Sequence, residues 1–466
     1  MKGFSAKDFS AIILAAGLGT RMKSELPKVL HKANGDYLVS HVISSCIATG
    51  VERPLLVVGH AAERVREALG SSVDYVEQTP QLGTGHAVQT ALPALAEKNG
   101  GVMVLCGDAP LLSAETLTRL QTYFQNTGAA CTVLSAVVTE PKGYGRIFRN
   151  ETGELLRIIE DRDATAEQKK ITEINTGAYC FNLQILRQTI GRLSSKNAQG
   201  EYYLTDVLQI LAQDGFVVNA LAAEDPREAL GINDRVQLAE VSAILRERKL
   251  KELLLEGVTV IDPDNTYIEA GVRVGRDTVI EPGTYLRGNT VIGVDCLIGP
   301  GCDISDSIIG DESNVSYSIL REVKADKFAN IGPFSYLRPG TELAPRVKVG
   351  GFVETKKSLV GEGSKIPHLS YIGDATIGQD VNIGCGTITC NYDGVHKHNT
   401  IIGDNAFIGS NVNLIAPVTV GEGAFVAAGA SISKHVPAGA LAIERTEQRN
   451  IENWAEKNKK KTNGKT

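Results

Sequence analysis

Apolar positions run through this chain in two different rhythms. In the first half, short and nearly continuous apolar runs (Ala11–Ala15, Leu55–Val58, Val102–Cys106, Ala130–Leu134) alternate with stretches of helical spacing such as Val39–Ala48. Runs of this kind, separated by helices, predict the strands of a parallel sheet covered on both faces. Ligands on such sheets bind at the carboxyl ends of the strands.

A long helix is predicted over Arg235–Leu254. Val236, Ala239, Val241, Leu245, Leu250, Leu253 and Leu254 are roughly helically spaced, Gly and Pro are absent, Asn233-Asp234 offers a cap and Gly257 an end. Beyond it the rhythm changes. Ile268, Val274, Ile280, Leu286, Ile292, Ile298 and Ile304 stand six residues apart; Ile331, Leu337, Leu343 and Val349 resume the period, as do Ile402, Ile408, Leu414, Val420, Val426 and Ile432. A hexapeptide period is the signature of a parallel β-helix, with the branched residue inward and a small residue at each corner. Two breaks, Lys356–Leu369 and Thr389–Thr400, are expected to be surface insertions, where solenoids often bind. The fold class expected is therefore α/β plus all-β: a Rossmann-like domain over residues 1–235, a linker helix over 236–256, and a hexapeptide-repeat domain with a tail over 257–466.

Composition narrows the partners. The 466 residues exceed a single core, and 42% apolar with 22% charged residues is ordinary for a globular protein. Forty-eight basic against 54 acidic residues leave a net charge of −6. A field of that sign favours neither nucleic acid nor an anionic membrane, so any phosphate ligand must be held by local cations and backbone N–H groups. No apolar stretch is long enough to span a bilayer, and Met1–Ser10 is polar without a secretory pattern, so a cytoplasmic location is expected. The eight cysteines are scattered without a Cys-x-x-Cys pair, as expected of reduced thiols used as small hydrophobes. The lysine-rich end, Lys459-Lys460-Lys461, reads as a disordered solvated tail.

The first candidate chemistry follows the first strand. Leu14-Ala15-Ala16-Gly17-Leu18-Gly19-Thr20-Arg21-Met22 places glycines where backbone N–H groups approach a phosphate, with Arg21 and Lys28 close behind. It is neither a P-loop nor the dinucleotide fingerprint. Alone, this run fits a structural turn equally well. Asp108 alone, at a strand end, fits a helix cap or a solvated carboxylate.

Together with Leu26-Pro27-Lys28, the run resembles the signature of the sugar-nucleotidyltransferases. The resemblance continues through Gln78, Gly83-Thr84, Cys106-Gly107-Asp108, Gly145, Glu160, Asn175 and Asn233. It implies that Gln78, Gly83 and Thr84 help cup the uracil of UTP, that Arg21 and Lys28 contact its triphosphate, and that Gly145, Glu160 and Asn175 contact the sugar. It further implies that Asp108 and Asn233 ligate Mg²⁺. The chemistry fits such a set: a sugar phosphate is already an anionic nucleophile, so alignment and charge neutralisation suffice for in-line attack on the α-phosphorus.

The second half carries Arg338, Lys356, His368, Tyr371, Asn382, Cys385, Asn391 and Tyr392 in an order similar to the acetyltransferase half of the bacterial bifunctional N-acetylglucosamine-1-phosphate uridylyltransferase/glucosamine-1-phosphate acetyltransferase family. The resemblance spans about Leu14 to Arg445. It implies that Arg338, Lys356, Tyr371 and Asn382 hold glucosamine-1-phosphate and that His368 is the base deprotonating its amine. Acetyl-CoA is implied at Cys385, Asn391, Tyr392, Ser410, Ala428 and Arg445, a left-handed β-helix as the scaffold, and a homotrimer with acetyl sites at subunit contacts. Product N-acetylglucosamine-1-phosphate would then meet UTP in the first half. Cys385 departs from the family, where Ala is common. It opens the site to alkylation, while an acyl-enzyme is not required because the amine can attack acetyl-CoA directly.

Competing readings are a β-helix that only regulates a single-activity nucleotidyltransferase, and a structural protein with a degenerate first site. His368 with His396 and His398 also raises a zinc site. His31, His41, His60, His86 and His435 read as packing or surface residues.

Overall fold

The computed structural model describes residues 8–462. The chain divides into two compact units, Met1–Glu247 and Arg248–Thr466. Most of the Met1–Ser10 segment and the last four residues lie outside the described range.

The first unit is built on β1 (Phe9–Leu14), a small hairpin of β2 (Lys32–Ala33) and β3 (Asp36–Tyr37), α1 (Leu38–Ala48), β4 (Leu55–Val58), α2 (Ala62–Leu69), β5 (Asp74–Glu77), α3 (Thr84–Ala91), β6 (Gly101–Cys106) and α4 (Ala114–Thr127). There follow β7 (Cys131–Val137), β8 (Arg146–Arg149), β9 (Leu155–Ile159), β10 (Glu173–Asn182), α5 (Leu183–Thr189), α6 (Asp206–Gln213) and β11 (Val218–Ala222). The main sheet runs β11-β7-β10-β6-β1-β4-β5, with β8 and β9 attached beside β10. The predicted strands are present, but the sheet is mixed: β10 runs antiparallel to β6, β7 and β8. The apolar run of β10 is interrupted by Asn175 and Gly177, where a bulge shifts its register against β7. Apolar clusters on the two faces, one around Ile12, Val57, Val104 and Phe181 and the other around Ile13, Leu56, Leu105 and Phe124, bury the sheet on both sides.

Helix α7 spans Arg235–Leu255. Asp234 caps it by accepting the N–H groups of Val236 and Gln237. Gly257, at φ +93°, ends it as the Val258 N–H closes onto the Leu253 carbonyl. Val241 packs with Met22, Leu38, Leu111 and Ile232 in the first unit. Leu250 and Leu253 belong to the core of the second.

The second unit is the parallel β-helix, its short strands stacking in register as Val349–Ile366 and Ile383–Ile408–Val426. Every hexad position predicted to point inward is buried. A second residue two places earlier is buried as well, and where it is Ser or Thr its hydroxyl can tie neighbouring coils: Thr278 Oγ1 donates to the Gly293 carbonyl and accepts from the Cys296 N–H. The gap between Ile304 and Ile331 is not a break. Ile309, Val315, Leu320 and Ala325 point inward there, and three of the faces have five residues instead of six. Each shortened face turns on a residue of left-handed conformation one place early: Asp306, Tyr317 and Glu322.

The same device corrects the first expected insertion. Lys356–Leu369 stays in the coil, with Thr355, Val360, Ile366 and Ile372 buried and Lys357 at the shortened corner. A polar inward Thr355 followed by a five-residue step concealed the period. The second expected insertion is real: residues 391–399 leave the coil as a hairpin closed by an antiparallel bridge between Tyr392 and Lys397. The lysine-rich end also departs from expectation, forming a helix, α8, over Trp454–Thr462.

Candidate active sites

In the first unit the carboxyl ends of β1 and β6 lie side by side, since Leu14 pairs with Cys106 and the Gly107 N–H donates to the Leu14 carbonyl at 2.9 Å. A cavity of about 390 Å³ opens there, lined by Leu14 to Leu18, Lys28, Gln78, Gly83, Thr84, Cys106 and Asp108 among others. Gln78 forms part of its wall. Its amide nitrogen donates to the Gly83 carbonyl at 3.0 Å and lies 2.9 Å from His86 Nδ1. His86, expected only to pack, therefore orients Gln78. Gly83 sits at φ +105°, where an added Cβ would fall 2.7 Å from the Tyr202 carbonyl.

At the other end of the cavity charges converge. Lys28 Nζ rests on Asp108 Oδ2 and lies 3.4 Å from Asn233 Oδ1, while Arg21 Nη2 donates to the same Asn233 oxygen at 2.8 Å. Asn233 is distant in sequence; the Ile232 N–H donates to the Asp108 carbonyl at 3.0 Å and draws the segment in. Asp108 and Asn233 thus present two hard oxygens to one point already occupied by a cationic group. This donor set suits a divalent ion such as Mg²⁺.

Gly145, Glu160 and Asn175 form a second group nearby. The Asn175 N–H donates to the Gly145 carbonyl at 2.8 Å, and its side chain binds the Tyr179 hydroxyl at 2.7 Å. Burial pushes the Glu160 carboxyl up, an effect the Thr205 hydroxyl, 3.0 Å away, partly offsets. Cys106 faces Gly177 closely enough that a Cβ there would meet its Sγ at 2.7 Å, and burial, reinforced by Asp108, pushes the thiol up to about 12. It is a wall, not a nucleophile.

In the β-helix the predicted residues form two groups. Arg338, Lys356 and Tyr371 lie along one strip of the longer sheet, in which Tyr336, Glu354 and Tyr371 pair in register. Arg338 donates to Glu354 at 2.8 Å. Asn391 is buried against this strip, donating to Asp374 beside the Tyr371 ring. Lys397 was missed by the sequence reading because its neighbours suggested zinc. It comes off the hairpin beside Lys356 and, as the largest influence, holds that ammonium below its usual range, with Arg338 adding to the effect and Asp374 opposing it. His398 Nε2 lies 2.8 Å from Asp393, and among the described residues no three His, Cys, Asp or Glu side chains are grouped to hold the zinc of the alternative reading.

The second group occupies the other sheet. His368 ends the strand Lys365–His368 and is not on an insertion. It immediately precedes Leu369, a corner residue with positive φ; Cys385, Ser410 and Ala428 immediately precede Gly386, Asn411 and Gly429, which have the same conformation. Strand pairing stacks these coils one upon another. His368, Cys385, Ser410 and Ala428 therefore make one column, and Arg445 reaches it by donating to the Ala428 carbonyl at 3.3 Å. Asn382 lies on the flat face one residue before inward Ile383. Tyr392 is exposed, its hydroxyl donating to the Gly394 carbonyl at 2.6 Å. Among the described residues, no side-chain hydrogen bond or ion pair joins His368 to Arg338, Lys356 or Tyr371.

Both halves match known families. Residues 11–172 match the MobA-like NTP transferase domain, and residues 399–434 match the bacterial transferase hexapeptide (six repeats). The chain is 52% identical over 445 residues to the bifunctional protein GlmU of Heliobacterium modesticaldum, covering 96% of this chain and 97% of that one. It is 50% identical to the GlmU proteins of Brevibacillus brevis (96% and 97% covered) and Pelobacter propionicus (98% and 100%). The chain belongs to the bifunctional GlmU family. It is accordingly a bifunctional enzyme, an acetyltransferase and uridylyltransferase that makes UDP-N-acetylglucosamine. GlmU membership across nearly the whole length sets aside the reading in which the β-helix merely regulates one activity. No helix among the described residues is long and apolar enough to cross a membrane.

Proposed function

We propose that the two activities are divided between the halves, with uridylyl transfer in residues 1–235, a linker helix over 236–256, and acetyl transfer in residues 257–466. In the first site, Leu14 to Gly17, Gln78, Gly83 and Thr84 cradle the uridine of UTP beside Cys106 and Gly107. Arg21 and Lys28 take the triphosphate, and Gly145, Glu160 and Asn175 orient N-acetylglucosamine-1-phosphate. Asp108 and Asn233 would hold one Mg²⁺, which when bound neutralises phosphate charge. The residues themselves align the attacking phosphate with the α-phosphorus and screen the leaving pyrophosphate with two cations. The observation that carries this reading is the convergence of Arg21, Lys28, Asp108 and Asn233 at the mouth of the Gln78 cavity.

In the second site, Arg338, Lys356, Tyr371 and Asn382 hold glucosamine-1-phosphate, and neutral His368 takes a proton from its amine as that amine attacks the thioester of acetyl-CoA. Cys385, Ser410, Ala428 and Arg445, with Asn391 and Tyr392, bind the coenzyme. The placement of the cationic strip and the His368 column on different sheets favours sites completed by neighbouring copies, as in a homotrimer. The enzyme would act in the cytoplasm.

A split assay on the full chain tests the division. CoA release from acetyl-CoA plus glucosamine-1-phosphate should vanish in His368→Ala, and pyrophosphate release from UTP plus N-acetylglucosamine-1-phosphate in Asp108→Ala. Loss of both activities in either variant would overturn it.

A further inference from the structure

Arg146 is one of the most deeply buried side chains of the chain, 1% exposed. A guanidinium is always charged, and taking it out of water is costly unless its donors are answered. Here they are answered only in part. Nη2 donates to Asp161 Oδ1 at 3.0 Å and Nη1 to the Tyr144 carbonyl, while buried Nε has no partner among the described residues. Buried ion pairs contribute little net stability compared with an apolar side chain of similar volume. Stability alone is therefore a poor reason for an arginine inside this hairpin.

What Arg146 joins is informative. Tyr144 immediately precedes Gly145, and Asp161 immediately follows Glu160. The two site residues face one another, since a Cβ on Gly145 would lie 3.5 Å from both Glu160 carboxylate oxygens. Arg146 itself pairs across the hairpin with Ile159 and across β10 with Ile174, next to Asn175. Its guanidinium thus fastens the turn entering the sugar slot to the turn leaving it. A second tie runs from the same turn: the Tyr144 hydroxyl accepts the Gly231 N–H at 3.4 Å, one residue before the N–H that binds Asp108.

We propose that Arg146, through Asp161 and the Tyr144 carbonyl, is a positioning residue for uridylyl transfer that sets the width of the slot between Gly145 and Glu160. It does this from behind the wall, out of reach of substrate. The inference rests on the reading of Gly145, Glu160 and Asn175 as the sugar contacts. Lysine in its place can answer one partner but not hold both in a fixed fork.

Steady-state kinetics on full-length Arg146→Lys, Asp161→Asn and Glu160→Gln test it, with KM for UTP as the control for a folded first unit and acetyl transfer as the control for the second. Arg146→Lys and Asp161→Asn are expected to raise KM for N-acetylglucosamine-1-phosphate about tenfold or more, leave KM for UTP within about twofold, and leave CoA release unchanged. The double variant should be no worse than Arg146→Lys, because both remove one link. A sugar-phosphate KM within twofold of wild type, or a fall in kcat alone, would overturn the proposal. If Arg146→Lys does not fold, the KM split in Asp161→Asn decides by itself. If Glu160→Gln alone raises the sugar KM, only the inference fails. If Glu160→Gln leaves it unchanged, the reading of the slot fails and the inference with it.

Discussion

Lys28 lies across the carboxylate of Asp108, with its ammonium also 3.4 Å from the Asn233 side-chain oxygen. The oxygens suited to a metal are thus already neutralised by a residue suited to phosphate. On the proposed reading, an arriving triphosphate would compete for Lys28 and Arg21, and releasing them would uncover Asp108 and Asn233.

Metal binding should therefore depend on nucleotide. Titration calorimetry with Mg²⁺ alone is expected to give weak or no binding, and with UTP present a clear isotherm. Lys28→Met should strengthen binding of Mg²⁺ alone while lowering uridylyl transfer about 100-fold or more. Equal Mg²⁺ affinity with and without UTP would contradict this.

Gly350 tests the β-helix. A Cβ at this position would lie 2.0 Å from the Pro367 carbonyl oxygen, a backbone atom of the next coil that cannot step aside. Gly350→Ala should destabilise the second unit by about 1–3 kcal/mol, read as a lower denaturation midpoint, and weaken acetyl transfer more than uridylyl transfer.

The hairpin over residues 391–399 has its own pH signature. Asp393 accepts N–H groups from His396 and Val395 and faces His398; the His396 backbone bond first, then His398, lower its carboxyl to about 2. A depressed carboxylate stabilises above its ordinary value and loses that effect as pH falls through the folded value. The hairpin should accordingly lose this support progressively as pH falls from about 4 towards about 2, followed by the Asp393 carboxyl resonance and amide exchange of residues 393–398. Asp393→Ala and Lys397→Met should both raise KM for glucosamine-1-phosphate, about tenfold or 1.4 kcal/mol for the second, with the UTP reaction untouched.

Thiol chemistry separates the cysteines. Burial pushes the thiols of Cys46, Cys106, Cys131 and Cys180 up, whereas Cys385 stands partly exposed in the His368 column. Iodoacetamide should modify Cys385 ahead of those four and block acetyl transfer alone, with acetyl-CoA protecting. Cys385→Ala should be resistant and active, as measured by peptide mapping beside CoA release.

Much of this was legible in the sequence, and the failures have physical causes. The hexads are legible because an inward Ile or Val at every sixth place leaves no alternative face to bury. Where Asp306, Tyr317, Glu322 or Lys357 turns a corner one residue early, the period slips although the core does not, and the coil reads as a gap or an insertion. The antiparallel course of β10 was not legible, since Glu173–Asn182 announces a site more strongly than a strand direction. The convergence of Asn233 on Asp108 depends on one long-range backbone bond, from Ile232, which no local pattern encodes. Lys397 was overlooked because its role comes from a neighbour, Lys356, far from obvious in spacing alone, and the contact of His86 with Gln78 was hidden for the same reason.

The column of His368, Cys385, Ser410 and Ala428 is a ruler. Its graduations are strand spacings of about 4.8 Å, so three steps measure about 14 Å along the axis from His368 to Ala428. On the proposed reading, a flexible thioester arm laid against such a scale would be read by length as much as by chemistry. Excising a whole coil between His368 and Ala428 would leave a stackable core yet bring the far contact one graduation closer, so that an acyl carrier shorter by that amount would fit where the natural one had become too long.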